Sequence, residues 1–108
     1  MNKKYGRGCY TERHKRFEGD VCLDQNRLYV EGEKNTAGTY IPLEKIVKVR
    51  VVSGGVEITA RLAATNVLRV IISLPSAALR GLIKDIVGIL HLKKRFLRRE
   101  WSGEAAWR

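Results

Sequence analysis

Residues Ser76 to Arg99 carry the pattern that most limits how this chain can fold. Leu79, Leu82, Ile83, Ile86, Ile89, Leu90, Phe96 and Leu97 recur at three- and four-residue steps, which places them on one face of a helix. Arg80, Lys84, His91, Lys94 and Arg98 repeat at the same steps about 100° further round. Ser73 or Ser76 is the expected cap, and Pro75 suits a first turn. A helix over 76–99 would run about 36 Å, longer than the roughly 20 Å of a six-residue strand. Its first two-thirds is apolar enough to lie on a small sheet. Its last third, Lys93-Lys94-Arg95-Phe96-Leu97-Arg98-Arg99, is expected to overhang.

The residues ahead of that helix alternate with the period of strands. Val21 and Leu23, then Leu28 and Val30, flank the turn residues Asp24-Gln25-Asn26-Arg27 and read as a hairpin. Tyr40-Ile41-Pro42-Leu43 is a short extended piece in which Pro42 demands an edge or a bend. Ile46, Val47, Val49 and Val51 form a longer strand ended by Ser53-Gly54-Gly55. Val56, Ile58, Ala60 and Leu62 alternate with polar residues, and Thr65-Asn66 turns the chain into Val67–Ile72. Six or seven strands followed by one helix predict a mainly β, α+β domain, a partly open antiparallel barrel or curved sheet capped by that helix. Three segments are expected: a flexible basic start at 1–16, the domain at 17–100, and a Trp-containing tail at 101–108. Gly6 and Gly8 argue for the mobile start, although Cys9-Tyr10-Thr11 can begin an edge strand.

Charge separates the functional classes. The net charge is +10, and the termini carry it. Residues 1–16 hold six Lys/Arg against one Glu, and residues 61–108 hold ten against three acidic residues. Residues 17–60 hold five Lys/Arg against seven acidic residues. Such an excess favours anionic partners or simple solubility. Lys93, Lys94, Arg95, Arg98 and Arg99 crowd within two helical turns beside Phe96 and Trp101, more cations than a helix dipole requires. With Arg80 and Lys84 on the helix, and Arg13, Lys15 and Arg16 near the start, they are the candidate phosphate-binding residues. Phe96, Trp101 and Trp107 are the candidate stacking or docking residues.

No nucleophile elbow, zinc-protease helix, phosphate loop or dinucleotide fingerprint is present, so no catalysis and no cofactor are expected. Cys9 and Cys22, thirteen apart, with His14 and His91 do not make a zinc pattern; they are free thiols or a bridged pair. One Gln and four Asn among abundant Lys, Arg and Glu are consistent with a thermophilic source. The absence of an apolar run near the N-terminus predicts a cytoplasmic chain. Gly81 and Gly88, seven apart on the helix, suit close packing on the sheet or on a second copy in a homo-oligomer.

Phe17-x-Gly19, Leu23-x-x-x-Arg27-Leu28-x-Val30 and Ile41-Pro42-Leu43-x-x-Ile46-x-x-Val49, followed by two strands and a helix, resemble a pleckstrin-homology-like (PH/GRAM-type) domain of the small prokaryotic kind. A weaker resemblance is to the archaeal taxis-adaptor family. The likeness covers roughly residues 17–92. It implies a non-catalytic scaffold that binds proteins or membrane headgroups. Two expectations therefore stand together: a basic module for nucleic acid or a ribonucleoprotein, and an adaptor for a protein or an anionic membrane surface.

Overall fold

Strand-period alternation governs most of the chain, and the turns fall where short polar residues and glycines stand. The computed structural model describes residues 2–13, 15–32, 38–94 and 100–103. Among them are β1 (Lys3–Glu12), β2 (Lys15–Leu23), β3 (Arg27–Glu31), β4 (Thr39–Pro42), β5 (Ile46–Val52), β6 (Gly55–Ala63), β7 (Asn66–Ser73), β8 (Lys93–Lys94) and β9 (Glu100–Ser102). A single helix, α1, spans Ser76–Leu90, and a 3-10 turn covers Leu43–Lys45.

All strands join one antiparallel sheet in the order β4-β3-β2-β1-β7-β6-β5-β9-β8. Asp24 makes the β2–β3 turn by accepting the backbone N–H groups of Asn26 and Arg27, each at 2.8 Å. Those N–H bonds, Asn26 first, and the Arg27 guanidinium hold its carboxyl below the usual range. Gly54 closes the β5–β6 turn with φ +80°, a backbone that a side chain would strain.

One core lies between the concave side of the sheet and α1. It runs from Ile41 on β4 through Leu28, Val21, Tyr10, Val70 and Ile58 to Val49 on β5, so the sheet wraps round it. The helix contributes Leu82, Ile83 and Ile86 to this core. The run Val67–Ile72 is apolar at five of its six positions and reads as a strand covered on both faces, but Ile71 stays half-buried on the outer side, because β7 alternates Val70 and Ile72 inward.

Both ends of the chain differ from expectation. The helix expected over 76–99 stops at Leu90. His91 takes a left-handed backbone (φ +52°), and the N–H groups of His91 and Leu92 both bond the Val87 carbonyl. Leu92 turns into the core, and Lys93–Lys94 pair with β9, which itself pairs with β5. These two short strands raise the count to nine, above the six or seven expected. Neither Ser73 nor Ser76 caps the helix; Pro75 holds the cap position and its carbonyl accepts the Leu79 N–H. At the other end, the segment read as a mobile start is, over Lys3–Glu12, a strand between β2 and β7. Cys9 and Cys22 are free thiols. Cys9 faces Glu18 on β2, four residues from Cys22, or about 13 Å along the strand, too far for a bridge.

A polar clamp fixes α1 to β1. The Tyr5 hydroxyl donates to Asp85 at 2.5 Å and Lys3 reaches the same carboxylate at 2.9 Å. These bonds, Tyr5 first, hold the Asp85 carboxyl below the ordinary carboxylate range. A depressed carboxyl stabilises the fold fully above its ordinary range and loses that contribution as pH falls through the folded value. Tyr5→Phe is therefore expected to cost about 1–2 kcal/mol near neutral pH. The deficit should shrink towards about pH 2, as thermal unfolding of both proteins at the two pH values would show. An equal deficit at both would mean that the lost bond does not depend on the carboxylate.

Candidate anion-binding surface

Partners in an antiparallel ladder send their side chains to the same face of the sheet. Reading the register outward from β8 gives Lys93 opposite Ser102, Ser102 opposite Lys48, Lys48 opposite Thr59, and Thr59 opposite Arg69. The inward-facing row beside it holds Val49, Ile58 and Val70, all in the core, so the first row lies on the convex face. It alternates cation and hydroxyl across five strands and spans about 19 Å at the usual strand spacing. Beyond Arg69, the chain at the β1–β2 turn supplies Arg13, and both arginines line a concavity of about 350 Å³ with Glu12. Arg13 holds a left-handed backbone, φ +48°. Lys93, from the C-terminal part of the sequence, and Arg13, from the N-terminal part, thus stand at the two ends of one band.

Among the described residues the band has three acidic neighbours: Glu12 accepts the Tyr10 hydroxyl at 2.9 Å, and the other two are paired with cations. Glu100, largely buried, lies 3.5 Å from Lys48, and Glu57 lies 3.2 Å from Arg50. Arg69 and Lys93 form no ion pair among the described residues. Thr59 is 7% exposed, and its hydroxyl has no hydrogen-bond partner among the described residues.

The predicted site residues divide between two faces. Lys93 belongs to the convex band. Arg13 closes its far end, with Lys15 and Arg16 exposed on the first residues of β2; Arg16 is 3.4 Å from Glu18. Trp101 instead stands opposite Val49 and Lys94, so it leaves β9 on the helix side. There it lines a mainly apolar groove of about 400 Å³ with Val51, Ile83, Val87 and Gly88, and Arg80 and Lys84 form its basic rim. Gly88 does not bring the helix close to anything: a Cβ there would meet nothing within 4 Å, and the space belongs to the groove. At Gly81 the nearest atom would be on the Tyr5 ring, at 3.9 Å. Arg95, Phe96, Arg98, Arg99 and Trp107 lie outside the described residues, as does His14.

Lys48, Thr59 and Arg69 were not among the residues singled out from sequence. Each reads locally as the solvent-facing half of an alternating strand. A further surface also escaped notice: Arg27 stacks on Tyr29 at 4.5 Å and on Tyr40 at 5.8 Å, and Tyr40 is 58% exposed. Arg27 is already engaged by Asp24 at 3.1 Å, so this cluster is in part a clamp on the β2–β3 turn. No helix of the described residues is long and apolar enough to cross a membrane. Set against protein-family models, curated proteins and solved structures, the chain matches none of them.

Proposed function

We propose that this chain is a non-catalytic binding module whose convex sheet face engages the phosphate backbone of a nucleic acid, free or within a ribonucleoprotein. The observation that carries the reading is the row Lys93–Ser102–Lys48–Thr59–Arg69, extended by Arg13. Clustered cations along a strand-crossing line suit a polyanion, since each neutralised phosphate releases counterions. Trp101 faces away from this row, so recognition runs through phosphates rather than through stacked bases. The fold we propose is PH-like. The β1–β7 pairing, the separation of β4 from β5 at a 3-10 turn, and one helix on the concave side support a partly open barrel.

The test is fluorescence anisotropy of a labelled oligouridine across a salt series. Three to four phosphate contacts on a single strand give a log–log slope of about −2 to −3. Binding that is absent at low salt, or insensitive to salt, overturns the reading.

A second reading, an adaptor for a protein or an anionic membrane, is favoured by the apolar groove with its basic rim. It predicts flotation with anionic vesicles that Trp101→Ala abolishes, or capture of a protein through the same residue. In that case the oligouridine titration stays flat.

A further inference from the structure

From the position of one unpaired hydroxyl we infer a discrete phosphate seat at Thr59, between Lys48 and Arg69; it rests on the nucleic-acid reading and specifies where a phosphate group is anchored. Threonine at this position is not explained by packing. Its hydroxyl is buried and unpartnered among the described residues, which disfavours the fold, whereas valine has nearly the same shape and the stronger apolar character. On its own face of β6 the neighbours of Thr59 are Glu57 and Arg61, both only half-buried, so what sets Thr59 apart in this row is a polar group sealed from solvent. The two residues flanking Thr59 across the ladder are both cations, one strand spacing away on either side.

Those three groups supply what a phosphate needs. The Thr59 hydroxyl donates to one oxygen, the Arg69 guanidinium offers a planar fork to two, and Lys48 brings a mobile charge. The hydroxyl lies below the surface, so the long flanking side chains turn aside or over the ligand as it enters. Lys48 then exchanges part of its pairing with Glu100 for the phosphate. The Glu57 carboxylate, two residues earlier on the same face, is held by Arg50 and does not oppose the anion alone. Ser102, on the other side of Lys48, offers a second hydroxyl in the same row.

The experiment compares Thr59→Val, Thr59→Ser and Arg69→Gln with the unaltered chain in the oligouridine titration. Thr59→Val removes a donor without removing charge. It should weaken binding about tenfold at every salt concentration and leave the salt slope unchanged, with a melting temperature equal to or above that of the parent. Thr59→Ser should restore most of the affinity, and Arg69→Gln should flatten the slope by about 0.7. Undiminished binding by Thr59→Val beside a flattened slope in Arg69→Gln overturns the seat and leaves the nucleic-acid reading standing. Should oligouridine not bind, pyrophosphate is titrated while the Thr59 methyl resonance is followed. A saturable shift lost in Arg69→Gln keeps the seat for another phosphate carrier, and no shift removes it.

Discussion

Replacing Arg13, Lys48, Arg69 and Lys93 together by glutamine lowers affinity for a single-stranded oligonucleotide by about 100- to 1,000-fold at low salt. It also flattens the salt dependence by about 2 to 3 in slope, since each lost phosphate contact removes about 0.7. Arg13, Arg69 and Lys93 are exposed, so their replacement leaves the core untouched. Lys48 is the exception, being half-buried and paired with the largely buried Glu100. Glutamine is chosen there because its amide still donates to that carboxylate, which limits the cost to about 1 kcal/mol. The companion variant changes Arg80, Lys84 and Lys94, three cations on the helix side of the sheet. It is expected to bind within about threefold of the parent, less any loss of long-range attraction. If the second variant loses binding and the first keeps it, the convex band is not the site and the Trp101 groove is.

The sequence could reveal the components of this surface but not their assembly. Local chemistry marks the turns plainly: Asp24 folds onto Asn26 and Arg27, Gly54 reverses β5 into β6, and Pro42 ends a strand that lies at the edge of the sheet. The band depends instead on pairings between distant residues. Lys48 and Ser102 are neighbours only because β9 returns to the edge of β5. No periodicity within either segment carries that fact. The C-terminal helix is shorter than its apolar spacing predicts for a related reason. Apolar residues continue at helical spacing through Phe96 and Leu97, while the stop at His91 uses a left-handed histidine where a glycine would have announced it. At the start, Gly8 reads in the sequence as a sign of mobility. Its role is steric: a Cβ there would lie 2.4 Å from the Ser73 carbonyl oxygen, so glycine lets β1 lie against β7. The same composition serves a frayed end or a close strand approach, and only the partner strand distinguishes them.

Ile86→Ala is the largest single-residue effect expected on stability, about 2–5 kcal/mol, and it is best measured beside Ile89→Ala. The helical spacing puts both isoleucines on one apolar face. The structure separates them, with Ile86 completely buried and Ile89 37% exposed. Ile86 shares the core with Leu82, and α1 is the only helix among the described residues that covers the concave side of the sheet. Truncation there leaves a cavity bounded by β-strand side chains, which are held by the ladder and have little freedom to close it. A domain of this size has a total stability of about 5–15 kcal/mol, so Ile86→Ala should lower the melting temperature by about 10 °C or more. Ile89→Ala leaves no such cavity and should stay within about 0.5 kcal/mol. Urea unfolding measures both, and a changed midpoint with an unchanged m-value identifies lost packing in an otherwise intact two-state fold. Equal losses for the two would mean that Ile89 is covered in solution, by a second copy of the chain or by residues beyond those described. A loss confined to Ile86 fixes which face of α1 holds the sheet, and leaves Arg80 and Lys84 free at the rim of the groove.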